Sequence, residues 1–347
     1  MSTMKRAIAV STAAIAAVSM TGCVATTGSS GGAGTVIAYN TPKEWANWGE
    51  VLKQFTAKTG IAAANDPKNS GQTLAALTAE ASAPVADVAY FGLVFGLQAD
   101  QKGLLEPYSP PLIDQVPKQL KADNGTWSTV HQGAIAMLVN TKAIGNAPVP
   151  KCWKDLTKPE YKNLVGFLDP TSAAVGYSVL AAANLSLGGS FDNWDPGISW
   201  AKKMKDNGLA LPKQTATSAV QQGEIPILID ADFNGYKLAN VDKAPIKVVL
   251  PCEGTISVPY VMGLVKGAPH PEQGKKLLDF ALSDAGQKLF AQSYLRPVRS
   301  EVKLPDDIAA AMTPVDEYQK LVKAPDFKAM NDSMNKALAL WTSEVTG

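Results

Sequence analysis

The sequence predicts an α/β fold, and three observations carry that prediction. Short apolar, β-branched runs recur along the 347 residues, and most lead straight into a stretch with helical spacing. Apolar residues make up 46% of the chain, enough for packed cores rather than disorder. The alternation also supplies more strands and helices than a single sheet normally carries. Strand, helix, strand, helix implies parallel strands joined by right-handed crossovers.

"TVIAY" (35–39) opens as a strand. In "NTPKEWANWGEVLKQFTAKTG", Thr41 is a candidate N-cap, Pro42 suits the first helical position, and Trp45, Trp48, Leu52 and Phe55 follow at helical spacing to Gly60. "TLAALTAEAS" reads as a helix and "ADVAYFG" as a strand. "LVFGLQADQKGLL" reads as a helix starting near Phe95, and "TVHQGAIAMLVNT" (129–141) as a long strand region. "KNLVGFLDPTSAAVGYSVLAAANLSLGG" gives a strand at 165–168, a turn at Asp169-Pro170 and a helix from about Ser172. Helices are expected in "ISWAKKMKDNG" and "TSAVQQGE". Strands are expected at Ile227-Leu228-Ile229, "IKVVLP" and "ISVPYVMGLVKG". A helix pair, "PEQGKKLLDFALSDAGQKLFAQ", and a helical C-terminus close the chain.

The charges nearly cancel, 32 Lys plus Arg against 31 Asp plus Glu, so no basic field for nucleic acid is present. The N-terminus reads as an export signal. Residues 1–22 carry Lys5 and Arg6, then an apolar stretch too short to span a membrane. "MTGC" resembles a bacterial lipobox, with Met20 where Leu is usual, which makes Cys23 the candidate lipidated residue. The competing reading is ordinary cleavage nearby and a free exported protein. Residues 23–34 then form a small, Gly-rich flexible tether. Cys152 and Cys252 remain as an even pair in an exported chain, either a disulfide or two buried thiols that never meet.

In order, "EWANWGEVLKQFTAKTGI", "ADVAYFG", "DPTSAAVGYSVLAA", "GEIPILIDADFN", "EGTISVPYVMGLVKGAPHPEQGKKLLDFALSDAGQ" and "YLRPVR" resemble the extracellular solute-binding proteins that feed bacterial ABC importers. The branch resembled holds ferric-ion, polyamine, thiamine, sugar-phosphate and aminoethylphosphonate binders, and the resemblance covers about residues 35–340. It implies a two-lobed periplasmic-binding-protein fold that closes on its ligand like a hinge. The implied lobes are 35–138 plus 258–347 and 139–257, which puts both Cys152 and Cys252 in the second lobe near the hinge crossings. A monomer in the periplasm or at the cell surface is implied, held to a membrane through Cys23 and partnered by a permease, with no cofactor and no resident metal.

Ligands of open α/β sheets sit beyond the carboxyl ends of the strands. The candidate loops are "NTPKEW" with Thr41, Pro42 and Trp45, "GLVFG" with Gly92 and Phe95, "DPTSAAVG" with Thr171, Ser172 and Gly176, and "DADFNGY" with Asp230 and Asp232. Two of these loops lead into helix N-termini, which favour an anion, although "PTS" also reads as a plain N-cap. Asp230 and Asp232, two apart on a strand, would face one way and receive a ligand ammonium. Alternatively, one of them caps the "FNGYKL" turn. The ferric-binding members carry adjacent tyrosines where this chain has Asp232-Phe233, so a ferric site is disfavoured. Trp45 and Tyr260 are candidates to stack on a ligand. Arg296 and Arg299 would either reach an anion or serve lobe packing.

A helix-end anion site opposite two acids suits an aminoalkylphosphonate or a sugar phosphate, with a polyamine as the alternative. Two further classes compete. An exported hydrolase finds no Gly-x-Ser-x-Gly, no His-Glu-x-x-His and only two histidines to support it. A scaffold that kept the fold and lost its cleft predicts no response to small molecules.

Overall fold

The computed structural model describes residues 34–212 and 216–347. The expected signal peptide, Cys23 and nearly all of the expected tether lie outside the described residues. No helix among the described residues is long and apolar enough to cross a membrane.

Among the described residues ten strands form the framework: β1 (Thr35–Tyr39), β2 (Ala62–Asp66), β3 (Val88–Gly92), β4 (Leu105–Glu106), β5 (Ser128–Asn140), β6 (Val165–Gly166), β7 (Ile227–Ala231), β8 (Ile246–Val249), β9 (Thr255–Val265) and β10 (Val322–Lys323). The helices are α1 (Trp48–Thr59), α2 (Ser70–Ala79), α3 (Leu93–Gln101), α4 (Ala174–Ser186), α5 (Asp195–Asp206), α6 (Thr217–Gln222), α7 (Asp232–Asn240), α8 (Pro271–Leu282), α9 (Asp284–Ala291), α10 (Asp306–Ala310), α11 (Val315–Leu321), α12 (Phe327–Asp332) and α13 (Met334–Leu340).

The path β2-β1-β3-β9-β5-β7-β6 runs through two groups of strands. In the first, β2, β1 and β3 pair in parallel, and β3 meets β9 antiparallel. In the second, β6 and β7 pair in parallel, and β7 meets β5 antiparallel. The two longest strands belong to both. Residues 128–134 of β5 pair with β9, and residues 135–139 pair with β7. The result is a two-lobed fold whose lobes are joined by a pair of long crossing strands. All eleven residues of β9 are buried, as a strand covered on both faces requires.

Local chemistry places the other elements, with three departures from expectation. First, α1 begins at Trp48 rather than at Thr41-Pro42. Ala46 and Asn47 take positive φ (52° and 60°), which breaks the helical path and leaves 41–47 as turns. The helix then buries Trp48, Val51, Leu52 and Phe55, each worth about 1.5–3 kcal/mol, and stops at left-handed Gly60. Second, β2 carries no strand-like composition, and its pairing to β1 alone extends it. Third, α2 starts at Ser70, ahead of "TLAALTAEAS", because Asn69 and Gln72 form a reciprocal capping box.

The C-terminal segment reaches both lobes, with Asn331 bonded to Gln101 and Met334 to Gln98 on α3. Tyr177 on α4 donates to the carbonyl of Met330 at 2.6 Å, Trp341 packs on Phe167 at 5.8 Å between ring centroids, and Lys202 pairs with Glu344 at 3.1 Å. The last turns of the chain therefore lie on elements of the second lobe. Cys152 and Cys252 form a disulfide with their Cα atoms 4.8 Å apart. Beside it, Cys252 donates its N–H to the Lys151 carbonyl, and the Glu253 carboxylate accepts from the Trp153 and Lys154 amides.

Candidate functional site

A cleft of about 310 Å³ opens where the lobes meet. From the first lobe it is lined by Asn40, Pro42, Glu44, Trp45 and the 67–70 turn. Leu168 and Ala173–Val175 line it from the second lobe, and Tyr260 from β9. The walls lie at the carboxyl ends of β1 and β6, where an open α/β sheet places its ligand.

The turns at 41–47 bring Trp45 back over the strand ends. Its ring meets Phe233 at 5.2 Å and Tyr260 at 5.5 Å, both edge-on. Its indole N–H donates to the Tyr90 hydroxyl at 3.0 Å, and that hydroxyl lies 2.6 Å from His131 Nε2. Burial lowers the His131 pKa to about 3, so the ring is neutral. Trp45 is thus held by a buried chain that reaches the crossing strand β5.

Two helices open on the cleft, and they differ. The first turn of α2 is largely satisfied: Asn69 caps the Gln72 amide at 2.9 Å, and the Gly71 amide donates to the Ser172 carbonyl at 3.1 Å. At α4, Ala173 stands in the cap position and offers no side-chain acceptor. The amides of Ala174, Val175 and Gly176 find no acceptor among the described residues. A run of free N–H groups at the positive end of a thirteen-residue helix favours an anion. Two more donors line the same cleft. Lys68 lies over the Tyr39 ring at 4.2 Å and pairs with Asp66, and Asn69 Nδ2 has no partner among the described residues. Among the described residues Glu44 is the one carboxylate on the cleft wall, and it is exposed.

Of the residues expected at the ligand, Pro42, Trp45 and Tyr260 line the cleft. The others do not, for identifiable reasons. Thr41 is fully buried, and its carbonyl accepts from Asn65. Gly92 lies behind the cleft against Ala174, and Phe95 is a core residue because α3 starts two residues earlier than expected. Thr171 directs its amide and its hydroxyl onto Asp169. The Ser172 hydroxyl turns back toward the Asp169 carbonyl. Gly176 leaves room for the Leu168 carbonyl, which a Cβ would meet at 2.1 Å.

The two acids are the largest correction. Asp232 is the first residue of α7 rather than part of β7, so strand alternation does not align it with Asp230. It accepts the Ala134 amide at 2.9 Å and pairs with Arg296 at 2.7 Å, with no exposed side-chain surface. Arg296 in turn lies 3.6 Å from the Tyr318 ring centre. Asp230 accepts from the Ala231 amide and the Asn234 side chain, and burial raises its pKa to about 7. Both acids face the fold rather than the cleft. Arg299 is buried against Gln115, Asp284 and the Leu282 carbonyl, in a packing role.

Sequence reasoning missed Glu44, Lys68, Asn69 and Ser70.

The sequence profile of the bacterial extracellular solute-binding protein family matches residues 83–331. An uncharacterised protein of Haemophilus influenzae is 33% identical over 247 residues, covering 68% of this chain and 70% of its own. A Salmonella typhimurium protein named as a candidate 2-aminoethylphosphonate-binding periplasmic protein is 29% identical over 288 residues, 80% of this chain and 79% of its own. Among solved structures, the periplasmic binding protein AfuA of Actinobacillus pleuropneumoniae, with exogenous fructose-6-phosphate bound, superposes with a TM-score of 0.78 at 26% identity. That match spans 90% of this chain and 99% of AfuA.

Proposed function

The chain belongs to the bacterial extracellular solute-binding protein family, a family of binding proteins and not enzymes, and from that premise we propose that it delivers a small phosphorus-bearing solute to an ABC importer. The lobes we assign are 35–134 plus 258–312 and 135–257 plus 313–323 and the C-terminal turns. Cys23 would carry the lipid that holds the chain at a membrane as a monomer, with a permease as its partner.

The observation that carries the solute class is the uncapped N-terminus of α4, open to the cleft with Lys68 and Asn69 among the other donors on its walls. A phosphonate or phosphate group accepts several such bonds at once. Glu44 would accept from the far end of the solute, whether an ammonium or a sugar hydroxyl, and Trp45 and Tyr260 flank it. The named functions of the Salmonella relative and of AfuA support this class. A polyamine would use Glu44 and the aromatic faces but leave the α4 amides without an acceptor.

Calorimetric titration of the full chain with 2-aminoethylphosphonate, fructose-6-phosphate and spermidine tests the reading. Binding of either phosphorus compound is expected. Glu44→Gln should weaken the aminophosphonate about tenfold, or ~1.4 kcal/mol, by removing a charge-assisted bond. Binding of spermidine alone would replace the reading by the polyamine one.

A further inference from the structure

Two glycines of the first lobe stand directly against residues of the second. Gly71, in the first turn of α2, donates its amide to the Ser172 carbonyl at 3.1 Å. A Cβ on Gly71 would sit 2.5 Å from that carbonyl oxygen. Gly92, between β3 and α3, faces the first residue of α4, and a Cβ there would sit 2.3 Å from the Ala174 methyl carbon. Neither glycine is required by its own backbone. Gly92 has φ −61° and ψ 140°, which any residue adopts, and Gly71 is not among the positive-φ residues. Both are small because of what stands across the cleft, not because of the turn they occupy. Ser70 joins the two positions, since its hydroxyl accepts from the Gly92 amide at 3.1 Å and lies 3.4 Å from Asn40 Nδ2.

We propose that Gly71 and Gly92 are positioning residues for solute capture, forming a main-chain latch on Ser172 and Ala174 that closes the lobes without help from the solute. The inference rests on the binding-protein reading for its biological sense. The contact itself involves protein atoms alone. A latch of this kind would keep part of the unliganded population closed and lower the free energy the solute must supply on binding. The amides of α4 enter the cleft in the same movement, because Ala174 is both a latch contact and the first residue of their helix.

The test uses spin labels at Lys53→Cys on α1 and Lys203→Cys on α5, both exposed, in the full chain with Cys23→Ser. Distances are measured by pulsed electron resonance without solute, and again with 2-aminoethylphosphonate. Without solute, the parent is expected to show two components, open and closed. Gly92→Ala and Gly71→Ala should each remove most of the closed one. Gly92→Ala should regain it when combined with Ala174→Gly, which takes away the opposing methyl. Melting curves keep the result readable: Gly71→Ala adds a better helix former and should melt no lower than the parent, so loss of closure in a chain that melts normally is not loss of fold. A single open component in the parent overturns the latch, as does a closed component indifferent to both alanines. Failure of the aminophosphonate to move the distribution speaks to the solute reading and leaves the unliganded comparison intact.

Discussion

Asp232 has no exposed side-chain surface, and a carboxylate in that position must be matched by charge and hydrogen bonds. It is matched by the Ala134 amide and by Arg296, whose own charge faces the Tyr318 ring. Asp232→Ala should therefore cost about 3–5 kcal/mol in urea unfolding, by leaving Arg296 buried without its partner. The double variant Asp232→Leu, Arg296→Met should cost clearly less. Asp230 and His131 form a second pair of arguments, linked through protons. Burial raises Asp230 from 3.8 to about 7, so folding favours its protonated form and this group's contribution falls as pH rises across that window. Burial lowers His131 from 6.5 to about 3, so folding favours its neutral form and this contribution falls as pH drops through that window. Between about pH 4 and 6.5 the folded and unfolded chains hold the same proton count at these two sites, and their slopes cancel. Asp230→Asn removes one side of the balance. Relative to the parent, its stability should rise with pH by up to ~1.4 kcal/mol per unit over that range. An unchanged slope in chemical denaturation at pH 4.5, 5.5 and 6.5 would sink the assignment.

At the scale of elements, α4 is a helix whose sequence declines to cap itself. Ala173 stands where Ser, Asp or Asn would serve an isolated helix, and the open amides of Ala174 and Val175 belong to residues that line the cleft. Ala173→Asp should raise unliganded stability by about 1 kcal/mol, the usual worth of a cap. The same carboxylate should lower affinity for a phosphorus-bearing solute at least tenfold by occupying the amides. Melting and titration of one variant thus move in opposite directions, and a rise in both would mean that the solute binds elsewhere. The alternation that made the fold class legible is local: β1, β3, β7 and β9 announce themselves by composition, and α4 and α5 by spacing. The beginning of α1 was not legible, because Trp45 keeps helical spacing while Ala46 and Asn47 turn the backbone away. The acids were misread for a related reason. Their roles depend on where β7 gives way to α7 and on Arg296, 64 residues distant, and neither is written in "IDADFN" itself. The glycines at 71 and 92 have no local signature at all, since the groups that demand them belong to the other lobe.

At the scale of the whole molecule, the lobes are joined by β5 and β9, along which the chain passes into the second lobe and first returns from it. The disulfide lies just outside them. Cys152 follows the end of β5 and Cys252 precedes β9, so the bond ties the exit of one crossing to the entry of the other over a sequence separation of 100. Closing so long a loop restricts the unfolded chain, with a chain-entropy value of about 4.7 kcal/mol that measured disulfides often fall short of. It adds nothing to the cleft, whose walls are formed by other residues. Because Cys252 is exposed, reductant reaches the bond in the folded protein. Reduction, or the double variant Cys152→Ser, Cys252→Ser, should therefore lower the melting temperature by several degrees, at roughly 2–4 °C per kcal/mol for a domain of this size. Solute affinity at a temperature where both forms stay folded should move less than about threefold, under ~0.7 kcal/mol. A large loss of affinity with little change in melting would show the opposite design. The cross-link would then be setting the angle between the crossing strands, and with it the meeting of α4 with Gly71 and Gly92 on which closure depends.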